Sequence, residues 1–292
     1  MKRDLPMNDV IISADSTADL SDELRSRYEV HSFPFHIEFR GTDHLDNVDI
    51  TPQELFEGYW EDKSLPKTGA CTPAQYKSYF EELTSGGHEV VHFNLGSALS
   101  AAYENALQAA NELEGVYVID GKSLSSGVGL QVLASCRMRD EGLDGASIAN
   151  AARDLHDRSH ASFVVDTMEF LAAGGRCPSI VAHIGKMVGC HPGILVDNQS
   201  GAMKVGKLYR GKMKKVLERY VDDTLAKYPD VIKDEIFITH SGVSDETEAA
   251  VRSMLEEQGF KEIHTTTASC TISSHCGPGT LGVLFMTETP SA

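Results

Sequence analysis

The chain lacks long hydrophobic runs, and it lacks the residue spacings of the commonest metal and nucleotide sites. No stretch approaches the roughly 20 consecutive apolar residues that a membrane-spanning helix needs. None of the 6 cysteines stands in a C-x-x-C pair, so neither a zinc ribbon nor a redox dithiol is predicted. No glycine-rich strand-to-helix fingerprint and no G-x-S-x-G nucleophile elbow is present. We therefore expect no integral membrane segment, no metal site and no cofactor.

Positive charge is also scarce, since 26 Lys and Arg face 43 Asp and Glu and the formal net charge is −17. Nucleic acid is not an expected partner, because phosphate binding needs clustered cations. No apolar segment follows the basic residues at the start of the chain, so a cytoplasmic location is predicted. The exception to the acidity is a basic cluster of Arg176, Lys186, Lys204, Lys207, Arg210, Lys212, Lys214, Lys215 and Arg219.

Four short polar segments stand out because each adjoins an apolar run. They cover residues 13–17, 94–100, 120–123 and 273–280. In an open parallel sheet, ligands bind outside the carboxyl ends of the strands, where such loops gather. The segments offer hydroxyls, backbone amides and one imidazole. They predict a single pocket that binds an anionic head group.

The alternation of apolar runs and amphipathic helices predicts an α/β fold of two domains. Residues 9–158 are expected to form a parallel-sheet, Rossmann-like domain, and residues 159–289 an α+β domain, with the ligand between them. Strands are predicted at 10–13, 31–39, 89–94, 116–120, 161–165, 193–197, 204–208, 235–240, 262–268 and 280–286. Helices are predicted at 21–28, from 51, at 72–83, 100–113, 126–141, 144–158, 212–228 and 245–258.

Several residues could carry chemistry in these loops. Thr68 precedes a helix that Thr72 caps, so it is either an ordinary loop residue or an anion donor. Ser97 and Ser100 stand at the entry of the next helix, where capping explains one of them. His275 precedes a rigid Gly-Pro-Gly turn, and a serine with a histidine base is the rival interpretation.

Six motifs in order make the chain resemble the DegV family of fatty-acid-binding proteins, the binding subunits of fatty acid kinases. The family's D-S-T-x-D-L, T-S-Q-P, S-S-x-L-S-G-T, G-G-R, basic R-x-K-K-like and H-x-G-x-G segments correspond to residues 15–20, 68–71, 96–102, 174–177, 210–215 and 275–279. Two segments depart from the pattern, since residues 69–71 are Gly-Ala-Cys and residues 101–102 are Ala-Ala. The resemblance covers nearly all of the chain.

The resemblance implies a non-enzymatic carrier that holds one long-chain fatty acid in a buried tunnel between the domains. Thr68, Ser100 and His275 would hold the carboxylate, with Ser97 and Gly277 beside them. An ATP-dependent fatty acid kinase subunit would then form an acyl phosphate for phospholipid synthesis. The alternative is a hydrolase or transferase that uses Ser100 or Ser97 with His275.

Arg176 and Arg210 are predicted to lie near the mouth of this pocket. Arg176 belongs to the glycine-glycine-arginine segment, and Arg210 begins the basic R-x-K-K-like segment. Charges at an interface act mainly on association and register. We therefore expect these two arginines to serve docking of the kinase partner.

Overall fold

The computed structural model describes residues 10–176 and 189–290. Its strands are β1 (Val10–Asp15), β2 (Val30–Phe33), β3 (His36–Phe39), β4 (Thr42–Leu45), β5 (Lys67–Gly69), β6 (Glu89–Asn94), β7 (Val116–Asp120), β8 (Ser159–Val164), β9 (Cys190–Val196), β10 (Met203–Arg210), β11 (Val231–Ser241), β12 (Glu262–Thr267) and β13 (Thr280–Thr287). Its helices are α1 (Asp22–Arg27), α2 (Pro52–Asp62), α3 (Pro73–Thr84), α4 (Ala102–Ala110), α5 (Ser126–Asp140), α6 (Gly145–Ala152), α7 (Glu169–Gly174), α8 (Met213–Leu225), α9 (Asp245–Glu257) and α10 (Cys270–Cys276). Lys186 of the basic cluster and residue 177, the last of the segment 174–177, lie outside the described residues.

The first sheet has the parallel strand order β2-β1-β6-β7, as the alternating pattern predicted. Local sequence explains where several helices begin. Thr51 and Thr72 each form a capping box with the third helical residue and are followed by proline, which suits the first helical position. Because β1, β6 and β7 are parallel, their carboxyl ends meet at one edge of the first sheet, where three of the polar segments begin.

The second sheet is mixed, with the order β10-β9-β8-β13-β11-β12. Its central strand β13 is buried along its whole length, and its side chains alternate between two cores. Val283 and Phe285 pack in the core with α8 and α9, whereas Leu284 packs in the core that contains α5. The α/β fold with a parallel and a mixed sheet confirms the predicted fold class. The domain boundaries remain a prediction.

Helix α5 lies between the two sheets and is buried on nearly every side. It contacts β1 and β6 of the first sheet and β8 and β13 of the second. Two glycines permit this close approach. A Cβ on Gly127 would lie 3.1 Å from the Ala161 Cβ, and one on Gly129 would lie 2.8 Å from the Ala18 carbonyl oxygen. The helix thus joins the two halves of the fold.

Two of the differences from the predicted elements bear on the site. The single strand predicted over 31–39 is two strands in different sheets, because Pro34 lies between them and cannot donate to a ladder. Strand β3 pairs instead with β4 and β5 in a small antiparallel sheet. Residues 270–276, most of which were predicted as loop, form helix α10. Ser269 caps it by accepting from the Ile272 amide, and Gly277 ends it with a positive φ of 77°.

Candidate functional site

The pocket is organised by a hydrogen bond between residues 207 positions apart. The Thr68 hydroxyl lies 2.8 Å from Nε2 of His275. Thr68 is the middle residue of β5, where antiparallel pairing with Ile37 fixes its backbone. His275 lies in the last turn of α10. The small sheet and α10 therefore bring these two predicted site residues together.

The His275 side chain is partly buried, and its imidazole is neutral at pH 7. Burial, with a smaller contribution from the positive charge of Arg176, lowers the pKa of His275 to about 4. Nδ1 has no hydrogen-bond partner among the described residues. This side of the ring faces Gly174, where an added Cβ would lie 2.1 Å from Nδ1. Because residue 174 is glycine and has no side chain, the imidazole can lie against it. Among the described residues, only Nε2 of the ring has a hydrogen-bond partner.

Ser100 and Arg176 share the same pocket with Thr68 and His275. We call it the His275 pocket, and its described lining is Phe35, Thr68, Gly69, Ala70, Leu95, Leu99, Ser100, Leu124, Arg176, Met203, Thr271, Ile272 and His275. The Ser100 hydroxyl accepts from the Ala102 amide at 3.2 Å, so its hydrogen remains available to a ligand. Three of the predicted binding residues therefore converge.

An inner cavity continues from this pocket, since both are lined by Leu124, Met203, Ile272 and His275. The remaining described lining of the inner cavity is Ser125, Ser162, Phe163, Leu171, Thr239, His240, Ser241, Ala268, Cys276, Thr280, Gly282 and Leu284.

The hydroxyls of the inner cavity are bonded within the protein. Ser162 pairs with the Tyr220 hydroxyl at 2.8 Å, and Ser241 donates to Ser273 at 3.0 Å. The Ser125, Thr239 and Thr280 hydroxyls likewise bond to protein groups. These hydroxyls are thus already satisfied, which suits the cavity to an apolar ligand.

Both spaces are narrow in this structure. The inner cavity measures about 60 Å³ and the His275 pocket about 50 Å³. A cavity volume of about 10–15 Å³ is enough to hold one water molecule. A long ligand would therefore have to part the side chains at the junction. Met203 suits that movement, because methionine is unbranched and flexible.

A larger cleft of about 570 Å³ lies at the carboxyl ends of β1 and β2, but its lining disfavours an anion. Four aspartates contribute to it, namely Asp15, Asp19, Asp22 and Asp46. The polar segment 13–17 lies here and not in the His275 pocket. The prediction that all four polar segments form one pocket is therefore wrong.

The polar segments that do not reach the His275 pocket are occupied by internal hydrogen bonds. The Asp15 carboxylate accepts from the Tyr76 hydroxyl, the Asn94 amide group and the Leu95 amide. Asp120 accepts from the amide and the hydroxyl of Ser97, at 3.0 and 2.6 Å. These bonds explain why two of the four segments stay outside the pocket.

Ser97 and Gly277 do not line the described pocket. The hydroxyl of Ser97 donates a hydrogen bond to the Asp120 carboxylate. Gly277 instead allows α7 to approach α10, since an added Cβ would lie 2.9 Å from the Phe170 ring. A direct ligand contact by either residue remains a prediction.

The two predicted docking arginines occupy different places. Arg176 is exposed, lines the His275 pocket and donates to the Gly174 carbonyl at 2.7 Å. Arg210 ends β10 opposite Cys190 and is absent from the described lining of both the pocket and the inner cavity. The structure brings Arg176, but not Arg210, into contact with the pocket.

Much of the basic cluster is neutralised by neighbouring acids. Four lysines lie within 2.8 Å of a carboxylate: Lys204 with Asp197, Lys207 with Asp223, Lys214 with Glu246, and Lys215 with Glu218. Exposed pairs of this kind contribute little to stability, but they cancel charge locally. The local positive charge of the basic cluster is therefore smaller than the sequence suggests.

The geometry gives the hydrolase or transferase interpretation no support. A serine nucleophile needs its base within hydrogen-bond reach and a third group that orients the base. Nε2 of His275 pairs with Thr68, and no carboxylate among the described residues pairs with Nδ1.

Across the described ranges, 10–176 and 189–290, no group of three metal-ligating side chains occurs, and no helix is long and apolar enough to cross a membrane.

The chain belongs to the DegV family. The family model described as "Uncharacterised protein, DegV family" matches residues 9–288. A DegV domain-containing protein of Clostridium acetobutylicum is 27% identical over 282 residues, which cover 96% of this chain and 99% of that protein.

Solved structures share the fold. A DegV family protein from Thermus thermophilus, described by its fatty acid binding, has a TM-score of 0.87 and 27% identity, covering 95% of this chain and 99% of that one. Bacillus subtilis DegV, described as a fatty acid binding protein, has a TM-score of 0.83 at 20% identity, with 96% and 99% covered. The second likeness supports the fold alone.

Sequence reasoning missed the apolar part of the lining and two buried aspartates beside it. Phe35, Met203 and Ile272 come from three separate stretches of chain, and no spacing links them. Asp19 lies in the D-S-T-x-D-L segment, and nothing in that segment indicates its contact with the Ser269 amide. Asp46 follows β4, where the sequence shows no signal at all.

Proposed function

We propose that this protein binds one long-chain fatty acid, with the carboxylate in the His275 pocket and the acyl chain in the inner cavity. One observation carries the proposal. Thr68, Ser100 and His275 line a single pocket, and that pocket continues into a cavity whose hydroxyls are already bonded. The fatty acid binding described for the Thermus thermophilus protein supports the same function.

The head group would be held by neutral donors. A buried carboxylate needs several hydrogen bonds to offset its loss of water. The hydroxyls of Thr68 and Ser100 would supply two. The Nε2–H of His275, which pairs with Thr68 in the ligand-free protein, would supply a third by taking the carboxylate as its acceptor. Arg176, at the exposed side of the same pocket, adds a positive charge without being buried.

The tail would supply most of the affinity. Burying one methylene contributes about 0.8 kcal/mol, so a sixteen-carbon chain gains on the order of 10 kcal/mol before entropy losses. Part of this gain offsets the free-energy cost of moving Leu124, Met203 and Ile272 apart where the His275 pocket meets the inner cavity. The remainder suffices to hold a ligand without a covalent bond.

Calorimetric titration tests the binding. We expect delipidated protein to bind palmitate and to bind hexadecanol, which has the same chain without a carboxylate, far more weakly. Thr68→Val removes the hydroxyl at nearly constant volume and should weaken palmitate binding by roughly tenfold or more, because a hydrogen bond to a charged group contributes about 1.5–3 kcal/mol.

Thr42→Val is the matched control, because Thr42 is exposed in the same small sheet. It should leave the affinity for palmitate unchanged. Equal affinity for the acid and the alcohol would contradict the carboxylate site. Failure to bind either compound would contradict the function.

We further propose that the bound carboxylate is presented in the cytoplasm to an ATP-dependent fatty acid kinase subunit, which forms the acyl phosphate used in phospholipid synthesis. Arg176 and Arg210 would serve docking of that subunit. The resemblance of residues 174–177 and 210–215 to the family segments supports this role, and so does the exposure of Arg176 beside the pocket.

Separate assays of palmitate binding and acyl phosphate formation test the docking role. Arg210→Ala should lower acyl phosphate formation with a cognate kinase while palmitate affinity stays the same. Arg176→Ala should lower acyl phosphate formation by a larger factor than it lowers affinity. Unchanged phosphorylation in both variants would refute the docking role.

A further inference from the structure

Asp46 lies outside the His275 pocket and contacts the first turn of α10. Its Oδ1 accepts from the Cys270 amide at 2.7 Å, and its Oδ2 accepts from the Thr271 hydroxyl at 2.7 Å. Oδ2 also accepts from the Ser16 hydroxyl at 2.8 Å. Asp46 is 2% exposed and lies between β4 and α2, far along the chain from the helix that it holds. A single buried carboxylate thus fixes the start of α10.

A second buried carboxylate, Asp19, contacts the residue just before the helix. Oδ1 of Asp19 accepts from the Ser269 amide at 2.8 Å, and Oδ2 accepts from the Ser125 hydroxyl. Asp19 follows the short 3₁₀ turn after β1. Together the two aspartates bind the amides of two consecutive residues, 269 and 270. Amide groups at a helix start have no acceptor within the helix.

Capping alone does not account for two buried carboxylates. Ser269 already caps the helix by accepting from the Ile272 amide at 3.3 Å. Burial raises the pKa of both aspartates, that of Asp19 to about 7, which shows the cost of removing these charges from water. A helix of seven residues is too short to be stable alone, so outside contacts determine where it lies.

The position of His275 follows from that of the first turn. His275 is four residues after Thr271, which is about one helical turn or 6 Å. A shift or rotation of the first turn therefore moves the imidazole away from Thr68. The opposite side of the helix end is confined by Gly174 and Phe170. The two aspartates and these contacts define one place for the ring.

We propose that Asp19 and Asp46 are positioning residues, which hold the first turn of α10 so that Nε2 of His275 meets Thr68 and the ligand carboxylate. The ligand part of this inference rests on the proposed function. The contacts themselves join the D-S-T-x-D-L segment and the small sheet to the helix that carries the imidazole.

Nitrogen-15 NMR of His275 in the ligand-free protein tests the inference, together with palmitate titration. In Asp46→Ala we expect the pKa of His275 to rise from about 4 towards the exposed value of about 6.5, and palmitate affinity to fall by roughly tenfold. Asp46→Asn keeps an acceptor for the Cys270 amide and should give an intermediate result.

Asp144→Ala is the control, because it removes a carboxylate that caps another helix, α6, by accepting from the Ser147 amide at 2.7 Å. It should leave both the His275 signals and the affinity unchanged. If Asp46→Ala fails to fold, Asp46→Asn and Asp19→Asn decide by the same readouts.

Unchanged His275 signals in folded Asp46 and Asp19 variants would overturn the inference, as would equal changes in Asp144→Ala. If wild-type protein does not bind palmitate, the proposed function fails. The His275 pKa still decides the positioning role in that case.

Discussion

The two nitrogens of the His275 imidazole have different surroundings. Nε2 meets the Thr68 hydroxyl at 2.8 Å, whereas Nδ1 is buried against Gly174 without a partner among the described residues. Burial keeps the ring neutral at pH 7. A neutral ring that carries its proton on Nε2 can donate one hydrogen bond to a carboxylate.

The first prediction concerns the charge of this ring. A carboxylate beside an imidazole favours the protonated form, so palmitate should raise the pKa of His275 from about 4. NMR titration of the imidazole with and without palmitate measures the change. Hexadecanol carries no charge and should cause no rise. A His275 pKa that is the same with palmitate as without it would contradict direct contact.

At the scale of elements, α10 shows what local sequence can and cannot predict. The helices that begin after Thr51 and Thr72 were predicted because their caps lie within three residues of the start. Helix α10 was missed because it is short and its first turn is held by Asp19 and Asp46, from distant parts of the chain. Contacts between distant residues are not visible in a local pattern.

The second prediction concerns the contact between α7 and α10. Gly174→Ala places a methyl group 2.1 Å from Nδ1 of His275, which is too close for non-bonded atoms, so the imidazole or α7 must move. We expect the Thr68–His275 hydrogen bond to be lost and palmitate affinity to fall by roughly tenfold. Titration measures the loss, and the His275 NMR signals report the displacement.

Ala172→Ser is the control for that variant. It adds one atom to an exposed position of the same helix and should leave the affinity unchanged. Normal palmitate binding by Gly174→Ala would show that the ring position is not critical.

At the scale of the whole molecule, the sequence predicted the fold class and three pocket residues, but not how the halves meet. The α/β alternation was sufficient for the parallel sheet. The convergence of Thr68 and His275 depends on the small sheet packing against α10, a contact that no local sequence pattern shows. The basic cluster misled because four of its lysines pair with acids, and two of those acids, Asp223 and Glu246, lie beyond the cluster in the sequence.

A crystal structure of the protein with palmitate tests the central claim most directly. We expect a carboxylate within hydrogen-bond distance of Thr68, Ser100 and His275, and an acyl chain that passes a displaced Met203 into the inner cavity. Palmitate bound in the aspartate-lined cleft beside β1, or with its carboxylate pointing away from His275, would contradict it.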